Sequence, residues 1–221
     1  LRHNADGATL RDALPPEVHE RGHARHVRCF GHTPDADDRT RPMYAADLLY
    51  QQALKRSGLS MENVVTSTVQ KLAKRHKVKI RERKFDVMFD DPKGMIADIA
   101  AISREREVQC LVATLDRIDN DVPNMKRRAQ AWAVGDIATL RALPYVNQQR
   151  TCLQAIMDRP KLRSLIEAQE AKMRADRPGI VAYMLLAHET SFTTLPLEEL
   201  LKPDGELARF RAAGYTVEEP Q

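Results

Sequence analysis

Five consecutive residues near the N-terminus, His19, Glu20, Arg21, Gly22 and His23, spell H-E-x-x-H, and His26 follows three positions later. On a helix, histidines at i and i+4 face the same way and can share a zinc ion while the glutamate polarises a metal-bound water. The surroundings argue for another role. A zinc helix must exclude water and hold its ligands still, yet Arg21 and Gly22 occupy the centre of this one, and Arg25 and Arg28 follow. Glycine inside a helix costs about 1 kcal/mol relative to alanine, which is poor preorganisation for a metal centre. The simpler reading is a polar, solvated stretch of helix. A zinc enzyme using His19, Glu20 and His23 ranks last among the functional hypotheses.

A second group is basic. Lys71, Lys74, Arg75, His76, Lys77, Lys79, Arg81, Arg83 and Lys84 are relieved only by Glu82. Such density can bind phosphate, nucleic acid or an anionic membrane surface. Cations at a helix end also oppose the negative end of its dipole, and charges on an edge strand resist aggregation. No aromatic residue lies within the stretch to stack a base, and Phe85 only follows it, so no dedicated nucleic-acid module is read here. Anionic surface contact through Lys71 to Lys84 stands as the one partner hypothesis.

Two acidic groups, Asp35, Asp37 and Asp38, then Asp86, Asp90 and Asp91, invite a divalent cation but match no calcium-loop pattern. Asp91 before Pro92 reads as a helix cap, and the earlier group as a solvated loop. The three cysteines, Cys29, Cys110 and Cys152, are too few for a disulfide scaffold and lack zinc-knuckle spacing. Cys110 and Cys152 each fall beside an apolar stripe on a predicted helix. They could close a disulfide contributing about 4 kcal/mol in the chain-entropy model, or stay as two reduced core thiols. An oxidising compartment would favour the bridge.

These residues need a scaffold, and 221 residues with 43% hydrophobic content can bury a core. We treat 1–221 as a single domain. The charge of +4 is spread among residues of both signs, a mild basicity. The longest apolar run, Ile180 to Ala187, falls well short of the roughly 20 residues that span a bilayer, so no transmembrane helix is predicted. The chain opens at Leu1 without an initiator methionine or the apolar core of a signal peptide, which reads as a processed protein or a fragment.

Helical period dominates. Ser60 to His76 carries Met61, Val64, Val65, Val69, Leu72 and Ala73 as a core stripe, with Ser60 as N-cap. Pro42 to Arg56 reads as a helix stopped near Gly58, with Tyr44, Leu48 and Leu49 inward. A long helical stretch opens at Asp91 and carries Ile96, Ile99, Val108, Leu111, Leu115 and Ile118 as far as Pro123. Another bears Met125, Ala129 and Trp132, the last as a core anchor, before Gly135 and Asp136 stop one helix and cap the next. Further helices are predicted over Thr151 to Met157 and from Pro160. Val78 and Ile80 alternate with Lys79 and Arg81 as a short strand. At the C-terminus, Phe192 to Leu195 leans to β, Pro203 suits the first turn of a helix bearing Leu207 and Phe210, and Gly214 releases Tyr215 to Val217 as a strand.

In order along the chain, TLRDALPPEV, RPMYAADLLYQQALKRSGLS with VVTSTVQKLAKRHKVKI, QAWAVGDIATLRAL around Trp132, and LPLEELLKPDGELARFRAAGYTVEEP resemble the TraB/GumN family, a metalloprotease-like group that includes the Tiki-type proteins. The resemblance implies an α/β fold, mostly helical by content, with a helical insertion and a C-terminal strand-helix-strand unit; the N-terminal strand region is expected to be missing. It also implies a bacterial protein exported to the periplasm or lodged in a membrane. Members proposed to be active carry two G-x-x-H motifs and an acidic residue for a metal site. None of the nine glycines here is followed three residues later by histidine. Where the second motif belongs stand Leu185, Leu186, Ala187 and His188, and one histidine is short of the three protein ligands a hydrolytic zinc takes.

No family catalytic residue is therefore carried over, and no cofactor is evident in this chain; a divalent metal is expected only of a longer protein. The resemblance leaves enzyme status open. It implies a metalloprotease-like protein without a complete catalytic site here. The alternatives are a metal-dependent peptidase whose ligands lie partly in a missing N-terminus and a non-enzymatic binding or scaffold module.

Overall fold

The computed structural model describes residues 2–35, 38–60, 62–80, 91–143 and 149–219. In chain order the helices among them are α1 (Leu10–Ala13), α2 (Pro16–Phe30), α3 (Pro42–Arg56), α4 (Val64–Arg75), α5 (Pro92–Ala100) and α6 (Arg104–Asn120). Then follow α7 (Val122–Val134), α8 (Ile137–Ala142), α9 (Gln149–Met157), α10 (Pro160–Ala187), α11 (Leu197–Leu201) and α12 (Glu206–Ala212). The chain divides into two compact units, Leu1–Pro123 with Val146–Gln169, and Asn124–Tyr145 with Glu170–Gln221.

The first unit is organised around α6, which packs against α3 on one side and α9 on another, with α2 lying against both α3 and α6. Its sequence explains the placement. Leu111, Leu115 and Ile118 recur at helical spacing and are 1%, 0% and 5% exposed, so α6 turns a continuous apolar stripe inward. Ala46, Leu49, Ala53 and Leu54 of α3 are buried too, as is Ala155 of α9. Burying one leucine contributes roughly 1.5–3 kcal/mol, so this stripe is a substantial source of stability in the unit. At the start of α1, Thr9 Oγ1 accepts from the Asp12 N–H at 3.2 Å and the Asp12 carboxylate accepts from the Thr9 N–H at 3.2 Å, a reciprocal cap. Gly31 ends α2 at φ 84°, a conformation that glycine adopts without steric cost. In the last turn before it, the carbonyl of Cys29, a residue 3% exposed, accepts from Gln52 Nε2 of α3 at 3.1 Å, tying the end of α2 to α3.

In the second unit Ala131 of α7, Leu140 of α8 and Leu143 are buried. Phe210 of α12 meets Tyr215 edge-on at 5.9 Å between ring centroids. Glu219 draws together two arginines, accepting from Arg141 at 2.9 Å and from Arg211 at 2.8 Å, and these two hydrogen bonds hold its carboxyl below the usual range.

Several expectations are corrected. Among the described residues the β pairing is one antiparallel bridge, His3 to Thr40, so the predicted strand-helix-strand ending and the strand at Val78 are not formed there. Val78 to Ile80, Phe192 to Leu195 and Tyr215 to Val217 have no described partner to complete a ladder, and β propensity without pairing does not make a strand. The ending is instead two short helices, α11 and α12. Pro203 sits in the turn between them, where the Gly205 N–H donates to the Lys202 carbonyl at 3.0 Å. The long helix from Asp91 breaks at Ser103, whose side chain caps α6 by accepting from the Arg106 N–H at 3.4 Å. Asn63, not Ser60, caps α4, and none of α4's residues is buried. Trp132 is 58% exposed, because α7 turns Ala131 inward in its place. Tyr44 is on the exposed side of α3.

Candidate functional site

A cavity of about 70 Å³ lies beneath α2 in the first unit. It is walled by His19, Gly22, His23, His26 and Phe30 of α2, with Leu10 and Leu14 on one side. Ala45, Leu48 and Leu49 of α3 and Leu111 of α6 close it, and Asp38 and Thr40 line it from the loop before α3. The helical repeat accounts for the histidines. Positions 19, 23, 26 and 30 run at i, i+4, i+7 and i+11, so they share one face. Arg21 and Arg25 occupy a different one and reach α6, where Arg21 pairs with Asp116 and Asp119, each at 2.7 Å, and Arg25 also meets Asp119. Those ion pairs fix the rotation of α2 and thereby set the histidine face over the apolar walls.

Within the cavity wall, His26 stacks on Phe30 with ring centroids 4.4 Å apart and meets His32 edge-on at 5.3 Å. Its Nε2 is buried without a hydrogen-bond partner. Burial first, and then the neighbouring His32, push the His26 imidazole below its ordinary value of 6.5, while Asp38 and Asp35 pull in the opposite sense. At neutral pH the ring is therefore uncharged, with one nitrogen a donor and the other an acceptor. His32 Nδ1 lies 2.9 Å from the Thr33 carbonyl, which can only accept, so the His32 proton sits on Nδ1. Asp38 is fixed in the wall: its carboxylate accepts from the Thr40 N–H at 2.9 Å, and its carbonyl accepts from the Leu10 N–H at 2.6 Å.

The H-E-x-x-H residues divide. His19 and His23 line the cavity with ring centroids 6.2 Å apart, whereas Glu20 is exposed and absent from the wall. Glu20 therefore does not border the space that the two histidines share. These residues do not fit a hydrolytic zinc centre. Among the described residues no group of three or more histidine, cysteine or acidic side chains is arranged to hold a metal.

Other candidate residues are distributed elsewhere. Lys71, Lys74, Arg75, His76, Lys77 and Lys79 are exposed on and after α4, while Arg81 to Lys84, Asp86 and Asp90 lie outside the described residues, as does Asp37. Asp91 caps α5 by accepting from the Gly94 N–H at 2.8 Å. His188 is exposed just past α10. Cys110 and Cys152 form a disulfide joining α6 to α9, with Sγ atoms 1.99 Å and Cα atoms 4.5 Å apart. Thr114 Oγ1 donates to the Cys110 carbonyl at 2.8 Å beside it.

The histidine face was open to detection from spacing alone, since His26 and Phe30 extend the His19 and His23 register. Asp38 and His32 were not, because only the folded loop brings them to α2. A model of the TraB/PrgY/gumN family matches residues 1–219. No protein of curated function and no solved structure matches the chain.

Proposed function

The chain belongs to the TraB/PrgY/gumN family, and we propose that it works there as a binding module, its cavity beneath α2 receiving a small branched apolar group that carries a hydrogen-bonding atom. The observation that supports this is His26 Nε2, buried and unpartnered in an otherwise leucine-rich wall. A buried polar atom left without a partner costs roughly 1–3 kcal/mol, and a ligand that supplies one recovers that cost. The apolar walls bind the ligand's hydrocarbon end, and the neutral ring of His26 orients its polar end. Glu20, turned away, takes no part.

The test is a titration with isobutyramide, which has a branched end and an amide, followed through the histidine ring resonances in NMR spectra. Saturable shifts at His26, His19 and His23, abolished by Gly22→Leu, are expected. Gly22 lines the cavity and a Cβ there meets nothing within 4 Å, so the position accepts a side chain, and a leucine is the choice to occupy the ligand's space. Unchanged ring resonances in the wild type would rule the reading out.

A second reading, a metal-dependent peptidase whose ligands lie partly outside this chain, is supported by the family resemblance. Peptide hydrolysis lost on chelation and restored by zinc is its expected signature; hydrolysis indifferent to chelators would sink it. Export to the periplasm is the compartment we propose, supported by the Cys110–Cys152 bridge, because disulfides persist where thiols are oxidised.

A further inference from the structure

A helix whose apolar stripe stays in water gains nothing from that stripe until something covers it. Helix α4 is in this position. None of its residues is buried, and Val64, Val65 and Leu72 are 58%, 41% and 49% exposed. Just beyond it Val78 and Ile80 are 63% and 44% exposed. Around these aliphatic groups every charge is positive: residues 64–80 hold Lys71, Lys74, Arg75, Lys77 and Lys79 and no acidic residue.

Their arrangement adds to their number. Lys71 and Arg75, four apart, lie on one side of the stripe formed by Val65 and Leu72 and so border the apolar face, while Lys74 lies opposite it. Lys77 has a φ of 56°, a left-handed turn at the end of α4 in which the Val78 N–H reaches back to the Ala73 carbonyl at 2.9 Å. That turn ends the helix and lets the alternating Val78, Lys79 and Ile80 continue the same mixture of aliphatic and cationic groups.

We infer that α4 and its C-terminal extension dock on an anionic membrane surface, lying in the plane of the headgroups. Aliphatic side chains enter the upper acyl region, and lysines and arginines pair with lipid phosphates. Charge complementarity selects this occupant. Nucleic acid would use the same cations but leave the aliphatic stripe uncovered, and residues 64–80 hold no Phe, Tyr or Trp to stack a base. An acidic protein groove is the other competitor, and the lipid test separates it.

The experiment is co-sedimentation of the full chain with vesicles of phosphatidylglycerol and phosphatidylcholine in equal parts, against vesicles of phosphatidylcholine alone. Binding at least about tenfold tighter to the anionic vesicles, weakened by salt, is expected. The double change Lys71→Glu with Arg75→Glu abolishes it. Val65→Ser with Leu72→Ser, which leaves the charge intact, weakens it by about tenfold. Because these side chains are exposed, circular dichroism of each variant stays at the wild-type signal. Three outcomes would overturn the inference: equal binding to both vesicle types or to neither, wild-type binding by the serine variant, or displacement from vesicles by a single-stranded oligonucleotide at equal phosphate.

Discussion

Arg41 and Glu107 meet in the interior of the first unit, Nε of the arginine donating to Oε1 of the glutamate at 2.7 Å, with side chains only 11% and 3% exposed. Arg41 Nη2 also donates to the Ile99 carbonyl at 3.3 Å, so one side chain ties the start of α3 to both α5 and α6. Glu107 lies one turn before Leu111, at the edge of the main apolar stripe. Removing the arginine leaves a carboxylate in that setting with no counter-charge. Arg41→Met is expected to lower stability by about 3–5 kcal/mol, measured by urea unfolding, and the double change Arg41→Met with Glu107→Leu to recover most of that loss. A single variant as stable as wild type would show that the pair contributes nothing.

Gly22 offers the opposite case. It lies inside α2 at negative φ with open space where a Cβ would be. Gly22→Ala is expected to stabilise the protein by about 0.5–1 kcal/mol, because alanine narrows the unfolded ensemble and suits a helix interior. A rise in Tm without change in the denaturant m-value is the signature.

His26 gives stability a pH dependence. Its folded-state value is pushed below 6.5, chiefly by burial, so the unfolded chain takes up the proton first as pH falls. The stabilisation is complete above pH 6.5 and is lost as pH falls from there through the lowered folded value. In wild type minus His26→Phe, the free energy of unfolding should decline across that window and be flat above it. A difference that grows as pH falls would reverse the sign and refute the account.

Cys110 and Cys152 close a loop with a sequence separation of 42, for which the chain-entropy model gives about 4 kcal/mol. Cys110→Ser with Cys152→Ser should lower the urea midpoint, and dithiothreitol should do so only in the wild type. Protein alkylated without reduction should gain label at neither cysteine.

Where the sequence could be read, the reason was local. Asp91, Asp136 and Gly214 act within one turn of themselves, and each behaves as its residue type predicts: the aspartates cap α5 and α8, and Gly214 turns at φ 87°. Periodicity also placed Leu111 and Leu115 inward. It misassigned Trp132 and the α4 stripe, because a repeat shows that a face is apolar without showing whether a neighbour covers it. The strand expectations failed on the same ground, since alternation at Val78 and Ile80 specifies a half of a pair. For the site, the spacing of His19, His23 and His26 was visible from the start. Its chemistry was not, because the exposure of Glu20 depends on how Arg21 and Arg25 rotate α2 against Asp116 and Asp119 on another helix.

Cys29 has a use that follows from its position under Gln52. Burial raises the affinity of its thiol for its proton and keeps alkylating reagents out, while the other two cysteines are spent on each other. Its modification rate in native protein is thus a clock for the lifting of α2 from α3. The helix that walls the histidine cavity carries its own reporter, readable by mass spectrometry without any added label site.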